Sequence, residues 1–179
     1  DYIILSVVNG VERAQLEYPM VSAGIIFELD RDFDFRLNRT LYEKACRYQS
    51  RGVVGIDIAG PQNPAFRMAE YVDLFVDAKR RGFGVTLHTG EEGDLDEMRL
   101  VVEKIQPHRI GHGVLAARDP RLIGQLVEQK IALELCPTSN LNVGIFKSWG
   151  ELRGAYRALF DGGVTLTINT DGPEMHGTN

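Results

Sequence analysis

Apolar residues along the chain fall into two alternating rhythms. Short runs rich in β-branched residues predict strands: AGIIFEL (23–29), VVGIDIAG (53–60), GVTLHTGE (84–91), RIGHG (109–113), IALELCPTSN (131–140) and VTLTINTDGP (164–173). Between them lie stretches whose apolar positions recur three and four apart, which predict helices: LYEKACRYQSRG, MAEYVDLFVDAKRRG, DEMRLVVEKIQ, RLIGQLVEQK and ELRGAYRALFDGG. Several close on Gly, as helix C-caps do. DLDE ahead of Met98 puts acids at the positive end of a helix dipole. The opening DYIILSVVNG is apolar but too short for a membrane span, and it lacks the basic lead-in and cleavage pattern of a signal peptide.

Strand and helix alternate about every 25 to 30 residues, which predicts an α/β fold with a parallel sheet and helical crossovers. A doubly wound sheet and a barrel both produce this rhythm, and the polar residues separate them. From the second run onward each strand ends in polar or glycine-rich residues: 57–60, 88–91, His112 with Gly113, 136–140 and 170–173. Chemistry gathered at successive carboxyl ends is the mark of a barrel mouth, whereas a doubly wound sheet concentrates it at one switch point. The expectation is a single, incomplete TIM (β/α)₈ barrel domain over residues 1–179. The chain opens at Asp1 rather than Met and stops at Asn179 just after a motif, so an internal piece is expected. Expressed alone it should be prone to aggregate through open strand edges.

Composition narrows the partners. The chain has 44% hydrophobic and 25% charged residues, with a net charge of −5 and scattered basic residues. That is ordinary for a globular domain and argues against a nucleic-acid backbone, which needs clustered Lys and Arg. No apolar run reaches the roughly 20 residues of a membrane span. Two separated cysteines make no disulfide framework, so a cytoplasmic setting is expected. There is no phosphate-loop or dinucleotide fingerprint.

Three strand ends carry groups able to do chemistry. In LHTGEEG, His88 leaves a strand with Glu91 three residues on, either a metal ligand beside a proton donor or a plain strand cap and helix start. In RIGHG, His112 stands between glycines that allow close approach. A neutral imidazole there could take a proton or hold a water, and a histidine bonded within a tight turn has the same pattern. In NTDGP, Asp171 could bind a hard or borderline metal, although Asp-Gly-Pro is also good turn chemistry. Cys136 reads as a small buried hydrophobe without a basic neighbour, and Cys46 as a structural residue on a helix face. His108, after Pro107, reads as a surface-loop residue, and the surroundings of His176 are undetermined. Phe146 and Trp149 are expected to pack against a helix or loop, and KRRG (79–82) to be a solvated helix end. Two histidines and two acids on three strand tips form a metal ligand, a general acid, a base and a second ligand. Such a set suits a metal-activated water attacking an sp² carbon whose leaving group must be protonated.

The ordered series DIAG, HTGE, HRIGHG, ELCPTSN and NTDGP, over about two thirds of the chain, resembles the adenosine deaminase family of the amidohydrolase superfamily. The resemblance implies that about strands three to eight of the barrel are present. It implies one Zn²⁺ per subunit held by His88 and Asp171. Glu91 would protonate the purine ring as a zinc-activated water attacks C6, and His112 would orient or deprotonate that water as ammonia leaves. Gly60 would contact the purine, and Asp57 would stand behind the metal ligands. The family draws two further ligands from a His-x-His strand, and nothing matches it among His88, His108, His112 and His176. Gly172 stands where adenosine enzymes have a second aspartate, and Pro61 with Gln62 stand where they read Asp-Glu. Both departures fall on substrate binding, so the implied substrate is adenosine or a modified adenine nucleoside such as aminodeoxyfutalosine. A different metal-dependent hydrolase and a non-catalytic relative are the other readings.

Overall fold

Each apolar run expected to form a strand contains one. In the computed structural model, which describes residues 1–93 and 95–177, the strands are β1 (Ile25–Asp30), β2 (Val53–Ala59), β3 (Gly84–Thr89), β4 (Arg109–His112), β5 (Ala132–Leu135) and β6 (Leu166–Ile168). They form one sheet in which every neighbouring pair is parallel and spatial order follows sequence order. The winding direction never reverses, as it must in a doubly wound sheet. This is the arrangement of a (β/α)₈ barrel wall, here as an arc of six strands among the described residues.

Helices cover one side of that wall. They are α1 (Tyr2–Glu17), α2 (Phe35–Tyr48), α3 (Val72–Arg80), α4 (Leu95–Leu100), which runs on as a wider turn over Val101–Ile105, and α5 (Pro120–Glu128). After β5 come α6 (Pro137–Asn142), α7 (Trp149–Asp161) and α8 (Pro173–His176). Local chemistry sets their starts: Asp34 accepts from Leu37 N (2.7 Å) before α2, and Ser148 accepts from Glu151 N (3.3 Å) before α7. Asp119 caps α5, with Pro120 at its first position. Asp96 and Glu97 occupy the first turn of α4 as expected, while Asp94 lies outside the described residues.

Period-two alternation gives the sheet two chemically opposite faces. Leu29, Ile56, Ile58, Leu87, Ile110, Leu133 and Leu135 face the helices and are fully buried, packed with Phe75, Met98, Leu122, Leu126 and Leu159. Burial of Phe75 alone contributes about 1.5–3 kcal/mol. The register puts the intervening residues, Glu28, Asp57, His88 and Glu134, on the other face. There Glu134 pairs with Arg109 (3.4 Å) and accepts from Thr86 (3.4 Å). A face rich in charge is what the interior of a barrel with an active mouth requires.

Several local expectations differ from the fold. The opening run is the start of α1, whose apolar residues Tyr2, Ile3 and Leu16 stay exposed. IALELCPTSN leaves the sheet at Leu135 because Pro137 starts α6. Trp149 is 59% exposed, whereas Phe146 is buried. KRRG is not simply solvated: half-buried Lys79 donates to the carbonyls of Ile105 (3.1 Å) and Gln106 (2.5 Å) where the neighbouring helix ends. His108 is exposed as expected, and its Nδ1 accepts from Val85 N (3.0 Å). Cys46 is partly buried against the core, and both cysteines are free. Among the described residues no helix is long and apolar enough to cross a membrane.

Candidate active site at the strand tips

The strand ends converge on one pocket. A cavity of about 500 Å³ is lined by His88, Gly111, Glu134, Cys136 and Asp171, with the last residues of β6. His88 sits on the polar face at the end of β3, and its Nδ1 is 3.1 Å from the Asp57 carboxylate at the end of β2. That bond commits Nδ1–H and leaves the Nε2 lone pair free, the arrangement of a metal-ligating histidine backed by a carboxylate. Burial alone would pull the His88 pKa down, yet Asp57, with Glu28 and Asp171 beyond it, carries it above its ordinary value. The ring lies flat against β4 because residue 111 has no side chain. A Cβ there would meet His88 Cδ2 at 2.8 Å and Nε2 at 3.0 Å.

His112 lies beside His88, with ring centroids 5.6 Å apart. Parity along β4 would send it to the helix side with Ile110, but its backbone is left-handed (φ 64°). Its Nε2 lies 3.3 Å from Glu91 Oε2 and 3.8 Å from Asp171 Oδ2. Burial, then the charge of His88, pulls its pKa down to about 4, so the ring is neutral near pH 7. Glu91 Oε1 accepts from Ser139 (3.0 Å). Burial, then Asp171 and Glu92, raises the Glu91 pKa, which favours a carboxylic acid able to give up a proton. Asp171, also left-handed (φ 63°), goes the other way. Burial would raise it, but a Ser139 hydrogen bond and His112 hold it below the ordinary carboxylate value.

The expected residues therefore divide. His88, Glu91, His112, Asp171 and Asp57 come together at the pocket. Gly60 (φ 109°) instead packs at the tip of β1, where a Cβ would lie 2.9 Å from Asp30 Oδ1. Gly172 caps α8, and the space a side chain would use there is filled by Met175, 2.6 Å from an added Cβ.

For a metal, two donor sets compete. Ligand atoms of His112, Cys136 and Asp171 lie within 4.8 Å of one another. But both His112 nitrogens already have partners, Asn140 and Glu91, and burial pushes the Cys136 thiol up to about 12. His88 offers a free lone pair and Asp171 an ionised oxygen, so these two fit a zinc ion better, as half of a four-coordinate set.

A profile described as Adenosine deaminase matches residues 1–179. The chain belongs to the adenosine deaminase family. It is 31% identical to an adenosine deaminase of Clostridium botulinum over 99% of this chain and 53% of that protein. It is 33% identical to an aminodeoxyfutalosine deaminase of Acidothermus cellulolyticus over 96% of this chain and 49% of that one. The chain thus spans about half the length of the curated relatives it matches. A similar fold, at 22% identity and a TM-score of 0.79, is that of an amidohydrolase from Burkhoderia ambifaria with bound Zn, covering 98% of this chain and 48% of that one.

Other residues around the site carried no isolated sequence signal. Ser139 and Asn140 stood inside what read as a strand end. His176, whose Nε2 is 3.7 Å from Asp171 Oδ2, comes from α8 and also meets Asn142. Buried Arg31 ties the tips together: it donates to the His88 carbonyl (2.8 Å), pairs with Glu97 (2.6 Å) and stacks on Phe66 (4.6 Å). Only its place at the end of β1 hinted at that role.

Proposed function

We propose that the protein hydrolytically deaminates the 6-amino group of adenosine or a related adenine nucleoside. The observation that carries this is the meeting of Glu91, His112, His88 and Asp171 at the strand tips. Water enters, the C6–N bond breaks, a C6 carbonyl forms and ammonia leaves. His88 Nε2 and Asp171 would hold a zinc ion, which when bound supplies an activated water. Asp57 keeps the His88 ring oriented through Nδ1. Glu91, raised in pKa and held by Ser139, protonates the ring nitrogen next to C6. Neutral His112 orients the attacking water between Glu91 and Asp171. Adenosine deaminase and aminodeoxyfutalosine deaminase are both names of relatives at similar identity. Gly172 puts no side-chain carboxylate next to Asp171, a departure that falls on the substrate rather than on the metal.

The test supplies adenosine and aminodeoxyfutalosine to the native protein and follows ammonia release with the shift in purine ultraviolet absorbance. Glu91→Gln should abolish turnover and leave metal content nearly unchanged. Ammonia from neither nucleoside, or full activity in Glu91→Gln, would refute the reading.

A further inference from the structure

Behind His112, on the side away from the pocket, lies a file of polar groups that the deamination scheme does not use. Asn140 is fully buried (0%) and His112 nearly so (2%). The Asn140 side-chain Nδ2 is 3.1 Å from His112 Nδ1, and the Tyr156 hydroxyl is 3.0 Å from Asn140 Oδ1. On the pocket side, Nε2 faces Glu91 and Asp171 oxygens at 3.3 and 3.8 Å.

The Asn140 amide sets the direction of every bond in this file. Its Oδ1 accepts from the Tyr156 hydroxyl, and its Nδ2, which can only donate, faces His112 Nδ1. Nδ1 is therefore an acceptor. A neutral imidazole has one N–H, which places it on Nε2, facing the carboxyl groups of Glu91 and Asp171. Each buried group in the file then has a partner.

We propose that Asn140 and Tyr156 are positioning residues that lock His112 as its Nε2–H tautomer, making it a hydrogen-bond donor toward the pocket. The geometry stands by itself, and the effect on turnover rests on the deaminase reading. The left-handed backbone at His112 supplies the need for a lock. A ring that leaves its strand against the normal parity is held where it is by its surroundings. Neither positioning residue is on a strand: Asn140 belongs to α6 and Tyr156 to α7.

Long-range ¹H–¹⁵N correlation spectra of the native protein read the tautomer directly. The expected spectrum shows a protonated Nε2 and an unprotonated Nδ1 for His112. Asn140→Asp presents only acceptors to Nδ1; it should move the proton there and lower kcat by about 100-fold or more. Tyr156→Phe removes one oxygen, so it keeps the test open if Asn140→Asp fails to fold. It should lower kcat roughly 10-fold with little change in KM. A protonated Nδ1 in the wild-type protein overturns the lock, as does an unaltered tautomer with full kcat in a folded Asn140→Asp. An Nε2–H spectrum in a protein that releases no ammonia would support the lock and sink the deaminase reading alone.

Discussion

Replacing Gly111 by Ala should unseat His88, and the size of the effect follows from the contacts. A Cβ at 111 would lie 2.8 Å from His88 Cδ2 and 3.0 Å from Cγ and Nε2. Carbon contacts settle at about 3.5–4.0 Å, so one partner must retreat by roughly 0.5–1 Å. The Gly111 backbone is held in register between β3 and β5, which leaves the imidazole to move. Its far side is tied to Asp57 at 3.1 Å, so a shift of that size presses Nδ1 onto the carboxylate or turns the ring out of line with it, and either spoils the bond. Overpacking of this kind costs about 1–3 kcal/mol, and a metal-ligating histidine that loses its carboxylate partner loses about 10- to 100-fold in metal affinity. Zinc competition against a chelating dye, run beside urea unfolding, measures both. Gly154→Ala is the control. Gly154 is exposed in α7 with nothing within 4 Å of an added Cβ, so it should gain about 0.5–1 kcal/mol and leave zinc binding unchanged. If Gly111→Ala binds zinc within about twofold of wild type, a change worth under 0.5 kcal/mol, then His88 is not seated on residue 111 or is not a ligand.

Two further substitutions test the scaffold. Arg31→Met removes a 4% exposed guanidinium that joins Glu97, the His88 carbonyl and Phe66; urea unfolding should show a loss of about 3 kcal/mol, and a loss below about 0.5 kcal/mol would count it as surface decoration. Asp77→Asn weakens an acceptor bonded to Tyr42 (2.6 Å), Arg81 (2.6 Å) and Arg80, which hold the carboxyl well below its ordinary pKa. A depressed folded-state pKa stabilises above the ordinary carboxylate range, and the gain is lost as pH falls through the folded value. The variant should therefore be less stable near neutrality, by about 1 kcal/mol after solvent screening. The deficit should shrink in strong acid, and one that is constant across pH would contradict the assignment.

What was legible in the sequence was whatever lies along one strand. The six apolar runs contain the six strands because β-branched residues and flanking glycines are local signals. The polar strand tips identified the barrel because parallel strands all deliver their ends to one face. His88, Glu91, His112 and Asp171 could be named since each ends such a run. What stayed hidden depends on pairing between distant elements. Ser139 and Asn140 gain meaning only once α6 folds back over β4, and Tyr156 only once α7 packs behind it. Lys79 was read as solvated because its acceptors, the Ile105 and Gln106 carbonyls, lie on another helix. α1 went unread because its apolar residues do not form a clean stripe and many remain exposed.

The backbone itself marks the chemistry. Among the described residues, four that are not glycine have left-handed φ: Gln106, His112, Lys130 and Asp171. Gln106 and Lys130 follow helices, where that conformation ends a helix by satisfying its last carbonyls. His112 ends β4 and Asp171 lies in the bend between β6 and α8, neither at the close of a helix, and the conformation costs on the order of 1–3 kcal/mol each. The His112 side chain thereby leaves the ordinary alternation of its strand and meets both Asp171 and Glu91. A sheet used only as scaffold would keep parity at its ends. Here parity is broken at the tip of β4, and there the polar side chains of Glu91, His112 and Asp171 converge.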